Sequence, residues 1–312
     1  MPVEQRFAPP ARGHPARALP ALMFYRLISY LPFPLLYGLA WILYLLLYHV
    51  VRYRRDVVAS NLSNAFPEKT AAARASLAKD FYRQFCQVAL EIIKARRMQP
   101  EDFTERVRFI NPELLQQYSE NFNKSVIVLT IHQGNWEWML HGATTHFKIP
   151  IDPVYKPLHN KSADKLIYQI RSQFGSRPLS MDESVKDIIR RRREFRLFVM
   201  VADQSPIRRE RGHWTTFMNR EANFYLGAEA IATMTKFPVL FAQCHRRSTG
   251  HYEIEFKELA QPPYDKGSHT ITERYVALAQ EAIREEPESW LWSNRRWKRD
   301  RAKEEEEEKA TS

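Results

Sequence analysis

The chain has 312 residues, enough for one large α/β domain with a substantial core and with no second domain required. Its 47 lysines and arginines against 36 aspartates and glutamates leave a net charge of +11, which favours anionic partners such as nucleic acid, acidic headgroups or an acidic carrier protein. Two cysteines, Cys86 and Cys244, without Cys-x-x-Cys spacing argue against a disulfide framework and a cysteine-based metal site, and point to a reducing compartment.

Residues 1–20 are rich in Pro, Ala and Arg without apolar periodicity and read as a disordered leader. Residues 22–51 read as a membrane anchor. From Leu27 to Val51 there is no Asp, Glu, Lys or Arg, and Leu35–Val51 is predicted as one helix after Pro32 and Pro34. At about 1.5 Å per residue this run barely matches a hydrocarbon core of roughly 30 Å, so a short span and a half-inserted helix both fit. Arginines flank the segment on both sides and do not fix its orientation. A cytoplasmic catalytic domain is expected from the cysteine usage.

Residues 52–301 form the expected catalytic domain. Ala71–Arg97 has helical spacing, with Leu77, Phe81, Phe85, Val88 and Ile92 three or four apart. Three short β-branched runs, Ser125–Ile131, Phe195–Ala202 and Phe237–Cys244, read as strands covered on both faces. Helical patterns lie between them at Ala163–Phe174, Ser184–Arg193 and Gly227–Thr235. The alternation predicts an α/β sheet with helices on both faces. His251–Phe256 alternates polar and apolar residues and is predicted as an edge strand, Thr272–Glu286 as a late helix, and residues 302–312 as a disordered acidic tail.

The chemistry centres on His132-Gln133-Gly134-Asn135-Trp136-Glu137, directly after the first strand. Sites in open α/β sheets gather where strands end at their carboxyl edge. His132 and Glu137 would be about 140° apart on one continuous helix. A turn through Gly134 brings them together instead, with His132 at the strand end and Glu137 in the first turn of the next helix. Glu137 is then expected to hold the imidazole in one tautomer and to stabilise the imidazolium. No Ser or Cys adjoins His132 and no Gly-x-Ser-x-Gly occurs, so direct transfer is expected rather than a covalent acyl-enzyme. A hydroxyl would lose its proton to His132 while attacking a thioester. Backbone N–H groups near Gly134 are candidate oxyanion donors, and Asn135 is expected to shape the loop.

His132 to Glu137 resembles the His-x4-Asp/Glu motif of the lipid A biosynthesis acyltransferases, the late acyltransferases of lipopolysaccharide assembly. Four further blocks are similar to that family in order: Arg55–Glu68 (RDVVASNLSNAFPE), Val154-Tyr155-Lys156, Asp203-Gln204-Ser205-Pro206 with Gly212 and Phe217, and Pro287–Lys298 (PESWLWSNRRWK). The resemblance spans roughly residues 22–299. It departs where Phe217-Met218-Asn219 replaces the family's usual Phe-Phe-Gly and where Lys236 stands at a common turn glycine.

The resemblance implies a GPAT-like α/β fold preceded by the membrane helix and an acyl carrier protein thioester as donor, with acyl-CoA left open. The implied acceptor is an anionic glycolipid, most naturally a lipid A precursor, and the implied place is the cytoplasmic face of the inner membrane. Another glycolipid or a lysophospholipid stays open as acceptor. Tyr155, Lys156, Asp203 and Gln204 are the implied substrate contacts. Arg208, Arg209 and Arg211 follow them closely enough to meet acceptor phosphates.

No cofactor is expected. Glu137 and His141 lie one helical turn apart, but the His-Glu-x-x-His order is absent, so no metal is expected and His141 reads as a packed helix residue. Arg190–Arg193 reads as a solvated helix face. A basic nucleic-acid module is the reading of a different class, with Trp290, Trp292 and Trp297 among Arg295, Arg296 and Lys298 as a stacking platform. The apolar N-terminal segment speaks against nucleic acid, and in a membrane protein those side chains would sit at the lipid interface.

Overall fold

The computed structural model describes residues 25–158, 160–206, 212–302, 304 and 306. The expected leader, the first residues of the expected anchor, Arg208, Arg209 and Arg211, and most of the acidic tail lie outside the described residues. Residues 25–30 are helical, and after Pro32 the apolar run forms α1 (Phe33–Leu45), which continues as a π-helical turn, Leu46–Val50. Proline at its start costs nothing there, because the first N–H groups of a helix have no intrahelical partner. Two helices follow, α2 (Arg55–Ala65) and α3 (Ala71–Lys94). The Thr70 side chain caps α3 by accepting from the Ala73 N–H.

The remainder runs α4 (Pro100–Arg106), β1 (Val107–Phe109), α5 (Pro112–Tyr118), β2 (Val126–Thr130), α6 (Trp136–Phe147), β3 (Ile151–Tyr155), α7 (Lys161–Arg171), β4 (Leu179–Ser180), α8 (Met181–Arg190) and β5 (Leu197–Val201). A hairpin, β6 (Gly212–Phe217) and β7 (Arg220–Tyr225), precedes α9 (Gly227–Thr235), β8 (Val239–Ser248), β9 (His251–Ala260) and α10 (Thr270–Glu285). Among the described residues seven strands make one sheet in the order β1-β9-β8-β2-β5-β3-β4, parallel throughout except for the β8–β9 pair.

All of β2 is buried, and its side chains alternate between two cores. Ile127 and Leu129 face the core built with α1, α3, α9 and α10, whereas Val126 and Val128 face the one built with α4 to α7. A strand covered on both faces can be apolar at every position, which is why VIVLT reads as it does.

The structure corrects two expectations about placement. His251–Phe256 lies in β9, which is not an edge: the three-residue β1 pairs with it in parallel on the far side from β8. Its alternation reflects side chains such as Glu253 and Glu255 that form ion pairs with Arg247 and His245. The tryptophan cluster is neither a stacking platform nor an interfacial belt, since Trp290, Trp292 and Arg296 are buried in the core. The positions that depart from the family pattern are turn positions. Met218 and Asn219 form the β6–β7 turn with φ of 49° and 65°, and Lys236 ends α9 at φ 59°.

Candidate active site

β2, β5 and β3 are neighbours and parallel, so their carboxyl ends fall on one edge of the sheet. His132 follows β2, Asp203 and Gln204 follow β5, and Tyr155 and Lys156 close β3. The sequence-predicted residues that lie within the described chain therefore gather at one edge, as expected for open α/β sheets.

The loop carrying His132 is fixed from three sides. Gly134 has φ 57°, and a Cβ there would lie 2.7 Å from Cys244 Sγ and 2.9 Å from the Cys244 carbonyl oxygen, so only glycine fits without displacement. Its N–H donates to Ser289 O at 3.1 Å, and the Leu291 N–H donates to His132 O at 3.0 Å. Buried Gln133 donates from Nε2 to Ala282 O at 2.7 Å. Asn135 caps α6 by accepting from the Trp138 N–H at 2.9 Å, and donates to Glu91 Oε2 of α3 at 2.9 Å. The Gly134 N–H is thus already engaged, so Gly134 and Asn135 shape the loop and Gly134 is not placed as an oxyanion donor.

His132 Nδ1 lies 2.6 Å from Asp203 Oδ1, and the His132 backbone N–H donates to Asp203 Oδ2 at 3.1 Å. A third donor, Trp290 Nε1, reaches Oδ2 at 2.7 Å. Burial pushes the Asp203 carboxyl up, but the His132 charge and these three donors outweigh it and hold it below the ordinary carboxylate range. An ionised Asp203 holds a proton on Nδ1 and turns Nε2 to the rim. The Gln204 side-chain nitrogen stands 3.4 Å from that Nε2, and the Trp136 ring meets the imidazole edge to face at 5.0 Å.

The carboxylate on His132 is therefore Asp203, in place of the expected Glu137. Glu137 sits in the first turn of α6 as predicted, but its oxygens accept from Arg171 Nε at 2.9 Å and Nη2 at 2.5 Å. Its burial would raise the carboxyl, and Arg171 reverses this and holds it low. The Arg171 guanidinium also lies 5.6 Å from the Tyr155 ring. Among the described residues no hydrogen bond joins Glu137 to His132. A turn through Gly134 does bring the two residues to one loop, yet the helical phase points Glu137 toward α7. Lys156 is exposed just beyond β3. His141 is fully buried between Phe103 and Phe174, as its packed reading anticipated, and burial lowers it to about 4.

Sequence reasoning missed Arg171, Glu91 and the role of Trp290. Trp290 lies in the closing block already singled out, so its position carried a signal. Arg171 and Glu91 sit in helices whose local pattern gives none. The Arg190–Arg193 patch is split: Arg191 is buried on Asp152 and Asp187, while Arg192 and Arg193 are exposed as a solvated face would be.

A small cavity beside the loop is lined by Phe81, Phe85, Val88, Gly134, Trp136 and Trp290. Burial pushes the Cys244 thiol beneath Gly134 up to about 12, which keeps it protonated and unreactive. Among the described residues no serine, threonine or cysteine side chain hydrogen-bonds to His132. The arrangement is an imidazole, a buried carboxylate on its Nδ1 and a small, mostly apolar recess. Among curated proteins none matches the chain. Residues 10–299 match the family model described as bacterial lipid A biosynthesis acyltransferase.

Proposed function

Because the chain belongs to the bacterial lipid A biosynthesis acyltransferase family, we propose that this acyltransferase moves a fatty acyl group from an acyl carrier protein thioester to a hydroxyl of a lipid A precursor. His132 is the general base. The observation that carries this reading is the 2.6 Å contact from His132 Nδ1 to a buried Asp203, which leaves Nε2 as the accepting nitrogen at the sheet edge, 3.4 Å from the Gln204 amide.

The acceptor hydroxyl gives its proton to Nε2 as its oxygen attacks the thioester carbonyl. The tetrahedral intermediate collapses, the C–S bond breaks, and the departing thiolate takes the proton back from the imidazolium. Asp203 stabilises that imidazolium without accepting its proton. Once the acceptor hydroxyl takes its place on Nε2, the Gln204 amide turns to donate to the developing oxyanion. The absence of a nucleophile on His132 among the described residues supports direct transfer.

Glu137 acts through structure: with Arg171 it ties α6 to α7 and to the Tyr155 end of β3. The recess between Phe81, Phe85 and Trp136 is too small as it stands for an acyl chain and widens to admit one. Lys156, with Arg208, Arg209 and Arg211 close behind Gln204 in sequence, meets the phosphates of the acceptor. The enzyme works at the cytoplasmic face of the inner membrane, where an acidic carrier protein and a basic surface attract each other.

The test is turnover by purified His132→Ala with an acyl carrier thioester and a lipid A precursor. A loss of about 10² to 10⁴ in rate with unchanged folding is expected. Near-normal turnover would end the mechanism. Mass spectrometry of lipids from a deletion strain identifies the acceptor, and an intact lipid A with another lipid under-acylated would overturn the substrate.

A further inference from the structure

The N-terminal apolar helix has two apolar faces with different fates. Leu36, Ala40, Tyr44 and Tyr48, four residues apart, are buried. The opposite stripe is exposed at Leu35, Gly38, Trp41, Ile42, Leu45, Leu46 and Val50, apolar at every turn. A helix apolar all round is stable in water only when both faces are covered. The protein covers one.

We propose that α1 and its π-helical extension lie in the plane of an anionic lipid surface, with the exposed stripe sunk into the acyl region, and do not cross the bilayer. The proposal deepens the membrane placement in the proposed function and is tested without substrate.

The reason is what accompanies the helix along its whole length. Its buried face packs antiparallel on α3, with Tyr37 donating to Glu91 and Tyr48 against Tyr82. Charged groups flank it turn by turn. The Arg106 guanidinium lies 3.7 Å from the Phe33 ring, Arg83 is 5.5 Å from the Tyr44 ring, and Arg55 is 4.5 Å from the Tyr48 ring.

Were α1 to span, Trp41 and Tyr44 would stand near the midplane and would bring the half-exposed Arg83–Asp80 ion pair with them. Ionised groups at that depth are strongly disfavoured. The same span would draw α3, with Phe81, Phe85 and the adjoining catalytic loop, into hydrocarbon. Lying flat removes both conflicts. The apolar stripe meets the acyl chains, and the arginines sit at headgroup level, where positive charge and an anionic surface complement each other. The lipid-facing helix is then one helix away from His132, bridged by Tyr37, Glu91 and Asn135.

Two measurements on the full-length chain decide it. Arg26→Cys and Ala59→Cys bracket the helix at exposed positions, and the native Cys86 and Cys244 are buried. A membrane-impermeant maleimide applied to inside-out and right-side-out vesicles should label both new cysteines from the same side. Labelling from opposite sides overturns the proposal and makes the helix a span. The second is sedimentation with phosphatidylglycerol-containing vesicles of the combined Leu35→Glu, Ile42→Glu and Leu46→Glu variant, its fold checked by circular dichroism. Its partitioning should fall by on the order of a hundredfold relative to the parent. Binding equal to the parent overturns the proposal. So does a parent that ignores vesicles and sediments as a dimer, which would make a second copy the partner of the stripe.

Discussion

Two acid–base pairs meet at the same end of the sheet and are built in opposite ways. His132 and Asp203 are 71 residues apart in sequence, come from neighbouring strand ends, and leave one nitrogen of the imidazole at the rim. Glu137 and Arg171 join α6 to α7, and both charges are consumed by each other in the interior. The first pair leaves an accepting nitrogen at the rim, with only the Gln204 amide beside it, and the second leaves none. The motif that marks this loop in sequence contains one member of each, so adjacency along the chain says little about which groups pair.

The sharpest way to break this contrast is to neutralise the two carboxylates separately. Asp203→Asn keeps the shape but lets the amide favour the wrong imidazole tautomer, and it cannot stabilise the imidazolium. We expect kcat to fall by about 10² to 10⁴, with acceptor KM little changed. Steady-state kinetics in detergent measure both, and a fall confined to KM would remove Asp203 from the chemical step.

For Glu137 the expected loss is in stability. Glu137→Gln leaves the Arg171 guanidinium buried without its counter-charge, and breaking such a pair costs about 3–5 kcal/mol. Replacing both, Glu137→Gln with Arg171→Met, removes the stranded charge and should recover most of the thermal midpoint. If the double variant regains stability and also turns over, Glu137 is a positioning residue. If it is stable but as slow as His132→Ala, Glu137 takes part in the chemistry and the contrast fails.

Much of the fold was legible because each core element carries its period in the sequence. VIVLT announced a doubly covered strand, and the spacing of Phe81, Phe85 and Val88 announced α3. Gly227–Thr235 coincides with α9. The β6–β7 hairpin was not read, since its turn is Met218-Asn219 rather than a glycine pair. At the site, His132 and the loop were legible from a strand end followed by a helix start. The partner of His132 was not, because partner choice depends on strand order, and nothing local says that β5 lies next to β2. Asp203 was singled out without its role. The Trp-rich C-terminus looked interfacial because composition cannot tell an aromatic belt from an aromatic core, and only the packing of Trp290 against Trp292 and Phe217 settles its place.

The smallest expected effect concerns His141, which belongs to the sealed region. Among the described residues neither ring nitrogen has a hydrogen-bond partner, and the side chain is fully buried against two phenylalanines. Burial lowers its pKa to about 4; the Glu137 carboxylate pulls it upward, and the Arg171 guanidinium pushes it further down. The unfolded chain binds this proton near pH 6.5 and the folded chain only near 4, so the unfolded state holds more protons between those values. The stability contribution is therefore complete above about pH 6.5 and is lost as pH falls toward 4, amounting to about 3 kcal/mol across the window. His141→Leu removes the titration and leaves no hydrogen bond unmade. Thermal midpoints at pH 7.5 and 4.5 should show the parent losing more than the variant, with the two close at pH 7.5. Equal losses in both would mean that His141 is charged in the folded protein, and the interior around Glu137 and Arg171 would then be wet rather than sealed.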